Sequence, residues 1–261
     1  MCNGFLIFFM SIISFQSFSQ KLPDIQGKGV LALLNTKVDG KDLEWNDEFK
    51  AYNKATEVFY TVTNNKDYVY LVIKAENPDV IKKIILNGIT FTLFTSYYKN
   101  ERNGYSFLFP KYDTRNQMLF LDVNKNSLKT DSLLNVYNGR VTAKLKQIEI
   151  NNLKTEFKET LSIYNEEQIK AASLFDKNLN FVYDLGIPIK YLEGATSFKY
   201  NLKINSAGNG REIKFIESAN GTVLSYQGAD GINYNLGYST PSNLALSFST
   251  DFTGFYKLTS K

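Results

Sequence analysis

The 261-residue chain is 43% hydrophobic and 21% charged, which excludes a disordered chain and leaves room for one sizeable core. Its net charge of +4 comes from 30 Lys and Arg against 26 Asp and Glu, dispersed without a long basic run, which argues against a nucleic-acid groove. There is no histidine and one cysteine, Cys2, so a Ser-His-Asp or Cys-His arrangement and a His/Met haem site are excluded, and an ordinary zinc site is disfavoured.

The chain begins with an apolar run, FLIFFMSIISF, over Phe5 to Phe15, followed by Ser17-Phe18-Ser19. The run is short for a membrane span, which needs about 20 apolar residues. It reads as a secretory signal peptide over 1–19, with small residues at the −3 and −1 positions, although no Lys or Arg precedes it. The mature chain then starts at Gln20 with no transmembrane segment, and its destination is the exterior, the periplasm or the cell surface. Cleavage removes Cys2, so the mature chain has no disulfide and no thiolate.

Residues 20–261 read as a single domain rich in short strands. Asp39-Gly40 is a turn signal, and Trp45 follows in the polar segment LEWNDEF. Val58–Thr63 (VFYTVT) and Tyr68–Ala75 (YVYLVIKA) flank the turn Asn64-Asn65-Lys66-Asp67 and predict a hairpin. Pro78–Lys83 fits one helical turn, ITFTLF after Gly88 a strand, and Gly104–Phe109 another, closed by Pro110. An irregular, partly helical excursion is expected around 113–139. Further strands are predicted over 141–150, 156–163, 169–175, 181–189, 198–204, 214–217, 223–226, 244–248 and 255–258. Phe, Tyr, Thr, Val and Ile dominate these runs and suit a pleated, half-buried surface. The expected class is all-β: one antiparallel β-sandwich of jelly-roll type.

Several segments together resemble a known family. Val38-Asp39-Gly40 with Glu44-Trp45, the hairpin FYTVTNNKDYVYLVIKA, the strand NGITFTLF, then FVYDLGIPIKYL and FKYNLKIN follow the order of motifs in the family-9 carbohydrate-binding-module-like, or DOMON-like, β-sandwich. In FVYDLGIPIKYL, Asp184 stands where Glu is commoner, and the close, TDFTGFYKL at 250–258, resembles an ending found in exported proteins of Bacteroidetes-type bacteria, with Thr253 where Trp is usual. The resemblance implies the sandwich fold. That fold hosts sugar-binding modules, haem-binding domains and ligand-free proteins, so function has to come from the site.

Three places carry candidate chemistry. Trp45 beside the Asp-Gly turn offers either a stacking face for a sugar or a packing anchor. The stretch Ala219–Asn243 reads as a glycine-rich loop bearing Tyr226, Asn233, Tyr234, Asn235 and Tyr238, with Gln227 and Asp230 nearby; it suits a sugar site or an edge hairpin. The carboxylates Asp39, Glu44, Asp47 and Glu48 form a solvated polar turn, or a site for structural calcium, which takes oxygen ligands. No catalytic residue is assigned and no enzyme is expected. The expected function is exported, non-catalytic carbohydrate binding or surface display, with a glycan or a cell-surface protein as partner and no cofactor beyond that calcium. The alternatives are a structural or partner-binding sandwich without a small ligand, and a carboxylate-dependent glycoside-active enzyme.

Overall fold

The computed structural model describes residues 21–45, 48–95, 103–111, 131–206, 213–227 and 231–260. The expected leader, the 113–130 part of the expected excursion, Asp47 and Asp230 lie outside the described residues.

Fourteen strands appear among the described residues. They are β1 (Ala51–Asn53), β2 (Val58–Asn64), β3 (Tyr68–Ala75), β4 (Ile89–Phe94), β5 (Gly104–Phe109), β6 (Gln147–Asn152) and β7 (Phe157–Ser162). They continue with β8 (Lys170–Phe175), β9 (Phe181–Pro188), β10 (Ser197–Ile204), β11 (Lys214–Ser218), β12 (Gly221–Gln227), β13 (Asn233–Tyr238) and β14 (Thr250–Lys257). Three helices accompany them: α1 (Pro78–Asn87), α2 (Asp131–Lys144) and α3 (Pro241–Ser247).

The strands form three antiparallel sheets, none of them closed. One has the order β1-β2-β3-β9-β8, the second β14-β10-β4-β5-β6-β7, and the third, a small one, β11-β12-β13. The chain is therefore mostly β. The inner faces of the two larger sheets share one core. Tyr60, Leu71, Ile73, Tyr183 and Leu185 from the first meet Phe91, Phe107, Phe198, Tyr200 and Leu202 from the second. β10 shows why: in SFKYNLKI the apolar side chains at alternate positions all turn inward, and the strand's period of two does the sorting. Each such side chain contributes about 1.5–3 kcal/mol on burial. Inside this core the Tyr60 and Tyr200 hydroxyls lie 3.2 Å apart, and the Gln26 amide donates to Tyr60 Oη at 2.9 Å.

β9 is buried along its whole length, because both of its faces are covered. Tyr183, Leu185 and Ile187 face the shared core. Val182, Asp184 and Gly186 alternate with them on the outer face, which the N-terminal segment covers. There Trp45 and Phe49 pack on Val72 and Val182. Val38 lies against Gly186, and the Gly40 amide donates to Asp184 Oδ2 at 2.9 Å.

Three expectations are corrected here, and one open choice is resolved. The helical turn expected over Pro78–Lys83 runs on to Asn87: Asn77 caps it by accepting from the Asp79 amide, and Ile81, Ile84 and Ile85 give it a buried face. The strand expected from Val141 starts only at Gln147, because Val141 belongs to α2 and is buried against the core. The strand expected over 244–248 is instead α3, capped by Thr240 accepting from the Asn243 amide, with Pro241 in the first turn. Of the two readings of 219–243 the structure takes the hairpin one: the strand expected over 223–226 is β12, and it pairs with β13 in the small sheet.

Candidate functional site

The small sheet carries most of the expected ligand residues, and its register sorts them. Tyr226 pairs with Tyr234, Ser225 with Asn235, Leu224 with Gly237, and Val223 with Tyr238. A bulge between Leu224 and Ser225 leaves Leu236 as the extra residue. Alternation along this ladder sends Tyr226, Tyr234 and Leu224 to one face, and Asn233, Asn235 and Tyr238 to the other. The expected site is thus divided. Tyr226 and Tyr234 stack on each other, ring centroids 5.2 Å apart and 14° from parallel. Each ring gives one face to its neighbour, and Leu224 on the same side is fully buried.

On the opposite face, beside Gln227, Val223 and the buried Ser225 of β12, β13 lines up a file of three residues, Asn233, Asn235 and Tyr238. All three are exposed, Tyr238 at 48%. The Asn235 carboxamide oxygen accepts from the Gly237 amide at 2.6 Å, which fixes the side chain and leaves its NH₂ as a donor. Gly237 holds φ +97°. A Cβ there would lie 2.9 Å from the Asn243 amide nitrogen, so glycine is needed where α3 meets β13. Asn243 in turn donates to the Tyr238 carbonyl at 2.8 Å, tying the helix to the end of the file. An aromatic ring, two amides and a fixed backbone on one face form a polar ribbon of the kind that recognises hydroxyl-rich ligands.

Trp45 is not with them. It is only 7% exposed, packed with Phe49, Val72 and Val182 on the outer face of the first large sheet. Its ring is occupied by packing, and it presents no face for a sugar to stack on. Of the four carboxylates, the two whose side chains are described, Asp39 and Glu48, take local roles. Asp39 accepts from the Lys41 amide at 3.1 Å, and Glu48 reaches Lys50 at 3.8 Å. Among the described residues no three His, Cys, Asp or Glu side chains stand together as a metal cage.

Sequence reasoning missed a second place. Lys74 sits at the end of the apolar strand YVYLVIKA and is 93% buried, its side chain 7% exposed. Its ammonium lies 3.0 Å from Asp42 and 3.5 Å from Asp176. Asp176 also accepts from the amides of Asn178 and Asn180 at 2.7 and 2.8 Å. This triad lines a cleft of about 570 Å³ on the outer face of the first sheet, beside the docked Gly40 turn. α2 forms another wall, because Asn138 pairs through its amide with both backbone groups of Phe175, at 2.7 and 3.0 Å. The signal in the sequence was the lysine itself: a charge at a strand position that has to be buried requires a counter-charge.

No family model matches the chain. A relative is the Staphylococcus aureus protein named capsular polysaccharide biosynthesis glycosyltransferase CapH, 22% identical over 207 residues. Those residues are 76% of this chain and 52% of the relative, so the match spans about half of the relative's length. The relative's name places that protein in capsular polysaccharide biosynthesis. It also corrects one expectation. Missing histidine and thiol suggested that the chain is no enzyme; the relative is named as a transferase, which points to an enzyme. Acid and base work by carboxylates needs neither residue, so their absence was too narrow a ground.

Proposed function

We propose that this chain takes part in polysaccharide handling outside the cytoplasm and grips a glycan along the Asn233–Asn235–Tyr238 face of the small sheet. The observation that carries the reading is the file itself: one exposed tyrosine and two exposed asparagines share a face whose backbone is held by Gly237 and Asn243. Tyr238 would lie under a sugar ring, and the two amides would read its hydroxyls. The named activity of the staphylococcal relative supports the substrate class. The resemblance to carbohydrate-binding-module-like sandwiches supports it separately: the Asp-Gly turn and the Asp184 strand, two of its motifs, meet through a hydrogen bond. Affinity gel electrophoresis against a panel of soluble polysaccharides tests the reading. Retardation by at least one of them, lost in Tyr238→Ala, supports it; no retardation by any overturns it.

A second reading, glycosyl transfer by this chain, rests on the relative's name and on the cleft beside Lys74. There Asp42 would take the proton of an acceptor hydroxyl as its oxygen bonds to the anomeric carbon and the bond from that carbon to the nucleoside diphosphate breaks, the diphosphate leaving with the electron pair, while Lys74 holds the carboxylate in place. Transfer from a nucleotide sugar to an oligosaccharide, abolished by Asp42→Asn while the fold is kept, is its test.

A further inference from the structure

One end of the two-sheet stack carries a feature that polysaccharide handling does not use. Residues 31–36 form a turn there, in which the Thr36 amide and hydroxyl both donate to the Leu33 carbonyl, at 3.0 and 2.9 Å. Its stem is held firmly. The Ala32 amide donates to the Asn64 carbonyl at 2.8 Å, the Asn64 amide to the Val30 carbonyl at 3.1 Å, and the Tyr256 hydroxyl to the Val30 carbonyl at 2.8 Å. The tip is the opposite. Leu33 is 51% exposed, and Leu34, at 93%, is the most exposed large apolar side chain among the described residues. An anchored stem under two projecting leucines is a fixed apolar point, not a folding defect.

The surroundings are apolar and basic. A groove of about 900 Å³ runs beneath the tip, lined by Leu31, Ile189 and Leu258 together with Lys66 and Lys257. Both lysines are exposed, and so is Lys28. Gly29 lies so close to the Lys257 carbonyl that a Cβ would come within 2.3 Å of it, which places Lys28 beside the same strand end. Among the described residues Asp67 is the one carboxylate side chain lining the groove.

We infer that this end docks on an anionic lipid surface, with Leu33 and Leu34 entering the acyl boundary and Lys28, Lys66 and Lys257 meeting the headgroup phosphates. Lipid fits better than a folded partner. A convex tip enters a fluid layer without needing a complementary pocket, and apolar insertion with flanking lysines is how shallow membrane attachment is built. The inference is independent of the glycan reading, since the tip and the small sheet share no residue.

Vesicle co-sedimentation of the full chain tests it, with phosphatidylcholine vesicles and with vesicles of phosphatidylcholine and phosphatidylglycerol. The expected result is at least about tenfold stronger binding to the anionic vesicles, weakened by 0.5 M salt as screening requires. Leu33→Asn with Leu34→Asn, and separately Lys28→Glu with Lys66→Glu and Lys257→Glu, should each remove that excess while the melting temperature stays put. All five positions are exposed, and the two variant sets fail independently. Equal binding by the wild type and both variants overturns the inference. So does a wild type that shows no preference for anionic lipid. Concentration-dependent dimerisation abolished by the leucine changes, without lipid binding, would also overturn it and make the tip an interface between copies.

Discussion

The backbone N–H of Gly40 donates to Asp184 Oδ2 at 2.9 Å across 144 residues of chain, and the bond clips the N-terminal segment onto the outer face of β9. Gly40 holds φ +78°, and a Cβ on it would come within 2.7 Å of the Ser173 backbone. Glycine is therefore required twice, for its dihedral and for its closeness to β8. Asp184 is only 3% exposed.

Gly40→Ala should destabilise the chain by about 2–4 kcal/mol, combining left-handed strain with the clash. Asp184→Ala should cost about 1–3 kcal/mol, the range for leaving a buried donor, here the Gly40 N–H, without its acceptor. Urea unfolding checks both. The double variant should lose less than the sum, since both changes break one contact.

Ile187 and Ile189 flank Pro188; Ile187 is buried inside the shared core, at 1% exposure, while Ile189 packs against it from the margin. Ile189 begins a short 3-10 turn and is partly buried. Ile187→Ala should cost about 2–5 kcal/mol and Ile189→Ala less than half of that. Equal small losses would contradict the two-sheet core at this point.

Gly254 lies on β14 opposite Tyr200. A Cβ there would sit 2.3 Å from the Tyr200 ring, so Gly254→Ala forces the ring out of the core. The expected cost is about 1–3 kcal/mol from overpacking, read as a fall in melting temperature. Gly254→Ala combined with Tyr200→Leu should recover part of it.

Lys83 on α1 is 4% exposed, and its amine reaches the Thr250 hydroxyl at 3.3 Å. Burial pushes its pKa down to about 8, against a smaller opposing pull from Glu57. The folded pKa lies below the ordinary value of 10.5, so the unfolded chain holds this proton more tightly. Stability should therefore rise with pH from about 8 toward 10.5, and the group penalises the fold below that window. Lys83→Met should stabilise the protein at pH 7 by about 2–3 kcal/mol, with the gain shrinking at pH 10. Thermal melts of both proteins at the two pH values decide it; a gain independent of pH would contradict the sign.

Much of this fold was legible where one signal decided locally. The β2–β3 hairpin announces itself by two β-rich runs around an Asn-Asn-Lys-Asp turn, and β10 by clean alternation. α3 was misread although Thr240-Pro241 is a helix start, because leucine and phenylalanine at 244–248 mimic a strand. The glycines of 219–243 suggested a loop, yet Gly221 and Gly231 sit at the ends of β12 and β13 and Gly237 beside the bulge, all at positive φ. The tyrosines were visible in the sequence; their division between two faces was not. It depends on register and on one bulged residue, which pattern alone does not reveal. The cleft was hidden too, since Asp42, Lys74 and Asp176 meet only after three distant segments come together.

Export, expected from residues 1–19, has a measurement of its own. If export proceeds as the apolar run and Ser17-Phe18-Ser19 suggest, intact mass of the protein recovered outside the cytoplasm should correspond to a chain starting at Gln20. A cytoplasmic product that keeps Met1 would contradict export.

The most direct test of the central claim compares the two faces of the small sheet. Tyr238→Ala should weaken binding to the retarding polysaccharide by about 30-fold, as truncating an aromatic anchor costs roughly 2 kcal/mol, and leave the melting temperature within a degree or two. Tyr226→Ala with Tyr234→Ala should do the reverse, lowering the melting temperature through loss of the stacked pair while the folded protein still binds. Isothermal titration beside a thermal melt reads both quantities on the same samples. If Tyr238→Ala binds as the wild type does, or the Tyr226 and Tyr234 changes abolish binding in a protein of unchanged stability, the Asn233–Asn235–Tyr238 face is not the glycan site.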